Sequence, residues 1–474
     1  MKNGMSVEDA RRRAAEKNWK PRNCVWELTL ACNLNCGHCG SRAGTVRENE
    51  LTTAECFGVV DHLAELGCEL ITLSGGEPTL RKDWDAIARA ITRKDIYCNM
   101  VTNGVYSSRD KGREIARRAA DAGMSNVGIS IDGPEEIHNT IRGAGAYAAS
   151  LDSVADFNHA GMRVGIMTTV NQLNFSRLEE VRQIAIDAGA SMWRLQLAKP
   201  MGNLSDHDDW VIEPEQFLEL IPLLARLKKQ GEIQLNVGDS IGYYGPCDKI
   251  LRGKGGRGRK ESWQGCQAGM QAIGIEADGG VKGCLSMQAW QGENDPFVEG
   301  NLREISLPEL WNRPGAFAYN RDFHTSTLEG YCGKCKHRGV CRGGAKCVAS
   351  AFTNALKEDP YCYHRLVNLE GDEQRGELAK TAASAAAALM LSFGVASCQL
   401  GSDDEKKDAS ATPEYGVDVV AVDQAPEPDV KEPDFCCPEY GVEPDMTVQP
   451  DYGLPVDLKG QEKQEPDSPV HPEY

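Results

Sequence analysis

The run Cys32-Asn33-Leu34-Asn35-Cys36-Gly37-His38-Cys39 packs three thiols into eight residues, with no fourth cysteine close by. A four-iron, four-sulfur cube takes four protein ligands, and Cys thiolate is the protein group that serves it. Three ligands from this segment would leave one iron with an open coordination position, where chemistry rather than plain electron storage becomes available. Closely spaced cysteines also serve zinc knuckles and redox pairs. Zinc usually draws two plus two ligands from separated pairs, whereas here three lie together.

These cysteines follow a strand-like run, Val25 to Leu30, and strand-like and helical stretches alternate downstream as in a parallel sheet or barrel. A helix is expected over 53–66, opened by the capping box Thr52-x-x-Glu55 and closed at Gly67. Strand 69–73, a helix near 83–93, strand 97–102, helix 111–122 and strand 126–131 follow. Helix 148–160, strand 163–169, a helix capped by Ser176-x-x-Glu179 and strand 193–198 complete six βα units.

With its C-x3-C-x2-C spacing, the chain resembles the radical S-adenosylmethionine (SAM) superfamily. The resemblance implies a partial (βα)6 barrel. It also implies that SAM binds the open iron, accepts an electron and breaks to a 5′-deoxyadenosyl radical. Polar and glycine residues stand at the strand ends, where barrel active sites are built. Ser74-Gly75-Gly76-Glu77-Pro78 resembles the family segment that holds the SAM amino group, a role that would fall to Gly75, Gly76 and Glu77. Thr102-Asn103-Gly104 resembles the family's next turn, and Ser130-Ile131-Asp132-Gly133 the one after, implying SAM contacts at Asn103 and Ser130. Arg142, in Ile141-Arg142-Gly143, would suit the SAM carboxylate through a bidentate fork.

A second cysteine field comprises Cys266, Cys284, Cys332, Cys335, Cys341, Cys347 and Cys362. It resembles the SPASM extension, which binds auxiliary [4Fe–4S] clusters. With Cys247 it offers eight thiols, enough for two cubes. The resemblance assigns Cys247, Cys266, Cys284 and Cys347 to the first, and Cys332, Cys335, Cys341 and Cys362 to the second. The family has three residues between the cysteines matched to 341 and 347, and this chain has five. A zinc ribbon is the alternative for 332–347. Cys24, Cys56, Cys68 and Cys98 fall on strands or an amphipathic helix and are expected to be buried thiols.

The organisation expected is an N-terminal helical arm (1–21), a radical SAM core (22–235), an auxiliary-cluster domain (236–370), an Ala-rich stretch (371–398) and an acidic tail (399–474). The net charge of −18 argues against nucleic acid as a partner. No signal peptide opens the chain, which reads as cytoplasmic with a core not embedded in a membrane. With the first strand near residue 24, no leader-binding domain is expected before the barrel. The loop Gly253 to Gly258 reads as flexible, near the substrate entrance.

The tail holds twenty Asp and Glu against five Lys, and eleven of the twenty-two prolines, a composition expected to be disordered. Within it Pro413-Glu414-Tyr415-Gly416 recurs as Pro438-Glu439-Tyr440-Gly441, then as Pro450-Asp451-Tyr452-Gly453, and ends as Pro472-Glu473-Tyr474. Residues 381–398 resemble a lipoprotein signal ending at Cys398, or else form an Ala-rich helix. Together these features imply a peptide or protein maturase with its own tail as candidate substrate and flavodoxin or ferredoxin as electron donor. A thioether, a tyrosine crosslink or oxidation of Cys or Ser to formylglycine are the outcomes considered. The alternatives are an enzyme acting on a small molecule such as a tetrapyrrole, and a non-catalytic electron carrier.

Overall fold

The computed structural model describes residues 19–238, 240–253, 262–287 and 295–369. The arm, the glycine loop, the Ala-rich stretch and the acidic tail lie wholly or almost wholly outside them.

Seven parallel strands form the barrel wall: β1 (Asn23–Glu27), β2 (Leu70–Ser74), β3 (Tyr97–Thr102), β4 (Asn126–Ser130), β5 (Arg163–Val170), β6 (Met192–Leu197) and β7 (Gln234–Val237). Between them run α1 (Thr53–Glu65), α2 (Trp84–Thr92), α3 (Arg109–Asp121), α4 (Glu135–Arg142), α5 (Ala146–His159), α6 (Leu178–Asp187) and α7 (Phe217–Gln230). One strand face is apolar and buried, with Trp26, Ile71, Leu73, Met100, Ile129, Ile166, Trp193 and Leu195 inaccessible or nearly so. The helices meet it with stripes such as Val59, Val60 and Leu63 of α1 and Ile87, Ala88 and Ile91 of α2. Each such large side chain contributes roughly 1.5–3 kcal/mol of burial.

The expected six βα units are present, and the Thr52 capping box forms with both hydrogen bonds in place. The Ser176 box does not form: a 3-10 turn, Phe175–Arg177, precedes α6, and Glu179 pairs with Arg226 instead. Buried Asn174 causes this, because its Nδ2 donates to the carbonyls of Asp132 and Thr169 and pins the chain before the helix starts. Helix α4 was not foreseen. Its Glu135 and Glu136 sit in the first turn and Arg142 in the last, which complements the helix dipole.

The sheet does not stop at the barrel. β8 (Ala272–Ile275) pairs in parallel with the free side of β1, then β9 (Gly280–Lys282) and β10 (Val298–Asn301) add antiparallel strands. The order is β10-β9-β8-β1-β2-β3-β4-β5-β6-β7. Short helices follow: α8 (Asp248–Arg252), α9 (Leu307–Asn312), α10 (Ala318–Arg321), α11 (Gly330–Lys334), α12 (Arg338–Cys341) and α13 (Lys346–Thr353), the last three carrying Cys332, Cys341 and Cys347. Among the described residues no helix is long and apolar enough to cross a membrane.

Candidate iron–sulfur and SAM site

Cys32, Cys36 and Cys39 lie on the loop leaving β1, at the carboxyl end of the barrel. Backbone hydrogen bonds fix that loop from several sides: Cys32 donates to Gly44, Gly37 to Ile141 of α4, and Asn203 to Cys39. The Asn203 side chain adds bonds to the Asn35 side chain and the Cys36 carbonyl. Trp210, stacked on His207, closes over Gly37, where a Cβ would lie 2.6 Å from the indole. Burial pushes the Cys36 thiol up to about 11, and the charges of Cys39 and Cys32 push the same way. Thiols gathered so closely are costly to ionise together unless a cation joins them, which fits a cluster.

The family segments converge on the same end. Gly75 and Gly76 press against the backbone just beyond β1: added Cβ atoms would stand 2.2 Å from the Thr29 carbonyl oxygen and 2.3 Å from that of Ala31. The Glu77 carboxylate is fully buried and accepts from Thr79, Thr102 and the Asn103 amide. These bonds hold its side chain within the fold beside Asn103. Asn103 reaches the cysteine loop, its Nδ2 lying 2.9 Å from Asn33 Oδ1 and 3.9 Å from Cys32 Sγ. Ser130 closes β4 and is buried.

Arg142 divides its fork. Nε donates to Asp132 Oδ2 at 2.6 Å, while Nη1 faces Cys36 Sγ at 3.9 Å. Asp132 also contacts His38 Nε2 at 2.9 Å and accepts from the Thr169 amide. Burial alone would lift Asp132, but Arg142 and His38 outweigh it and hold the carboxyl well below the usual carboxylate range. Buried His138, whose Nδ1 accepts from the Asp132 amide, is lowered to about 4 by burial and then by Arg142, so it is neutral. Asp132 and His38 stand inside sequence motifs that assign them no role. No local pattern marks Asn203 or Trp210.

The second cysteine field separates into two groups. Cys332, Cys335, Cys341 and Cys362 line one cavity with Tyr244 and His364. Cys266, Cys284 and Cys347 influence one another, and Lys199, just beyond β6, lies near Cys284 and Cys347. The two extra residues between Cys341 and Cys347 are taken up by Arg342, Gly343 and Gly344, all left-handed with φ of 59°, 84° and 80°. Cys247 is fully buried just before α8. Backbone amides donate to sulfur at Cys39 from Ala43, Cys284 from Ser286, Cys335 from His337 and Cys341 from Gly344. Such bonds favour thiolate and tune an iron–sulfur centre. Among the described residues no three His, Cys, Asp or Glu side chains are placed for a single metal ion. The thiols of Cys24, Cys56, Cys68 and Cys98 are buried, as expected, and burial raises them all, Cys56 and Cys68 to about 12.

Residues 26–185 match the radical SAM superfamily profile, and residues 266–336 match the iron–sulfur cluster-binding SPASM domain. AdoMet-dependent heme synthase of Methanosarcina barkeri is 30% identical over 358 residues, covering 73% of this chain and 97% of that protein. The chain belongs to the radical SAM/SPASM family. Mycofactocin maturase MftC of Mycobacterium tuberculosis is 30% identical over 346 residues, covering 71% of this chain and 82% of its own. The crystal structure of Streptococcus suis SuiB bound to S-adenosylmethionine shares the fold, with a TM-score of 0.58 and 16% identity over 76% of this chain and 84% of that one. This radical SAM/SPASM enzyme therefore uses S-adenosylmethionine and iron–sulfur clusters.

Proposed function

We propose that this enzyme cleaves S-adenosylmethionine reductively at the Cys32/Cys36/Cys39 cluster and acts on a small molecule of the tetrapyrrole kind. The observation that carries the substrate class is the similarity to a heme synthase over nearly that protein's whole length. When bound, the cluster and SAM supply a carbon radical able to abstract hydrogen from the substrate. The chain's own residues then do the holding. Gly75, Gly76, Asn103 and Ser130 form the SAM cradle, and Asp132 holds Arg142 beside Cys36 and the SAM carboxylate. Cys332, Cys335, Cys341 and Cys362 hold one auxiliary cluster, and Cys266, Cys284 and Cys347 the other, with Cys247 as its fourth ligand. The cytoplasm, with flavodoxin or ferredoxin as donor, suits such a reductive enzyme.

Modification of a peptide is the second reading, favoured by the P-[ED]-Y-G repeats of the tail and by the similarity to a maturase. One experiment separates them. The anaerobically reconstituted full chain is given SAM, a reductant and a porphyrin, beside a Cys32→Ala control. 5′-Deoxyadenosine formed with a changed porphyrin mass supports the first reading. A mass change confined to peptides holding Tyr415, Tyr440 or Tyr452 supports the second. No 5′-deoxyadenosine from the wild type sinks both.

A further inference from the structure

Strand β6 has two faces. Trp193, Leu195 and Leu197 are buried under the helices, so Met192, Arg194 and Gln196 face the barrel interior. Register carries Arg194 along one layer: Ser130 stands opposite Met167, Met167 opposite Arg194, and Arg194 opposite Asn236. Two strand spacings put Arg194 about 10 Å from Ser130, on the far side of the SAM cradle. One layer further out, Gln196 donates to Thr169.

Arginines elsewhere around the barrel mouth carry carboxylates: Arg47 holds Glu27, Arg81 holds Asp83 and Arg142 holds Asp132. Arg194 is half-buried, its layer neighbours are neutral, and among the described residues no carboxylate or carbonyl engages its guanidinium. A half-covered guanidinium with no counter-charge is open to a ligand that brings one. Guanidinium matches a carboxylate through two parallel hydrogen bonds.

We infer that Arg194 receives a carboxylate of the substrate inside the barrel and fixes which carbon faces the SAM cradle. The inference rests on the proposed radical reaction. The shared chemistry has two sources: a propionate of a porphyrin, or Glu and Asp beside the tail tyrosines, such as Glu439 and Asp451.

The test titrates the reconstituted full chain and its Arg194→Gln and Arg194→Lys variants with two probe pairs. One is mesoporphyrin IX and its dimethyl ester; the other is the acetylated peptide Pro438 to Glu443 and its analogue with both Glu replaced by Gln. Wild type is expected to bind one acid probe roughly 10- to 100-fold tighter than its neutral partner. Arg194→Gln abolishes that preference and Arg194→Lys keeps part of it, and the pair that responds names the source. Iron content and circular dichroism verify that each variant is folded and loaded. Equal binding of acid and neutral probes by wild type, or an undiminished preference in Arg194→Gln, overturns the assignment. SAM cleavage without probe is read in parallel. Its loss in Arg194→Gln alone places Arg194 in the SAM site and also overturns the assignment. Its absence from wild type defeats the radical reading, while the titration still judges the carboxylate site on its own.

Discussion

Asp132 shows how much one side chain organises here. It joins the last turn of α4, through Arg142, to the cysteine loop, through His38. Removing one member of a buried ion pair strands the other, at about 3–5 kcal/mol. Asp132→Ala should therefore lower the urea midpoint of the chain by a large fraction, with Asp132→Asn milder because it keeps an acceptor. His138 predicts a pH effect. Its folded value of about 4 lies below the ordinary 6.5, so the unfolded chain binds the proton more readily between those values. The contribution is full above pH 6.5 and is lost as the pH falls toward 4. From pH 7.5 to 5 it amounts to roughly 2 kcal/mol, seen as a steeper fall in urea stability for wild type than for His138→Gln. The three cluster cysteines were legible because their chemistry is local in sequence. Asp132, His38 and Asn203 gain their roles through partners brought together only by folding, so residue types alone carried no signal for them.

Most of the elements were readable because a parallel barrel repeats one pattern: an apolar strand, a polar turn, then an amphipathic helix ended by glycine. Helix α4 escaped because its eight residues are mostly polar and lie between two ligand-like turns. β8 escaped because it is short and pairs with a strand some 250 positions earlier, which no local periodicity reports. The turn after β2 supplies a test at this scale. Gly76→Ala would thrust a methyl group to 2.3 Å from the Ala31 carbonyl oxygen and 2.6 Å from that of Leu30. Backbone cannot yield as a flexible side chain does, so a loss of about 1–3 kcal/mol in stability is expected. Weaker SAM binding by equilibrium dialysis should accompany it, because the displaced loop carries Cys32.

Across the whole molecule the cysteines divide by position in the fold and not by order in the chain. Cys341 and Cys347 are six positions apart yet serve different groups, and Cys362 returns to the group of Cys332. Cys341→Ala should reduce bound iron by one cluster's worth while SAM cleavage at the first cluster persists, which iron assay and 5′-deoxyadenosine yield report separately. The pairing of β8 with β1 has a further consequence. Cys24, Val25 and Trp26 stand in register with Ile273, Gly274 and Ile275 across a shared hydrogen-bond ladder. A chain cut after Val237 would leave those peptide groups bare on an apolar edge, the kind of surface that recruits another chain. Light scattering of that fragment should show self-association even with its first cluster loaded. The strands that follow the barrel, β8 to β10, thus also cover an edge that would otherwise invite aggregation.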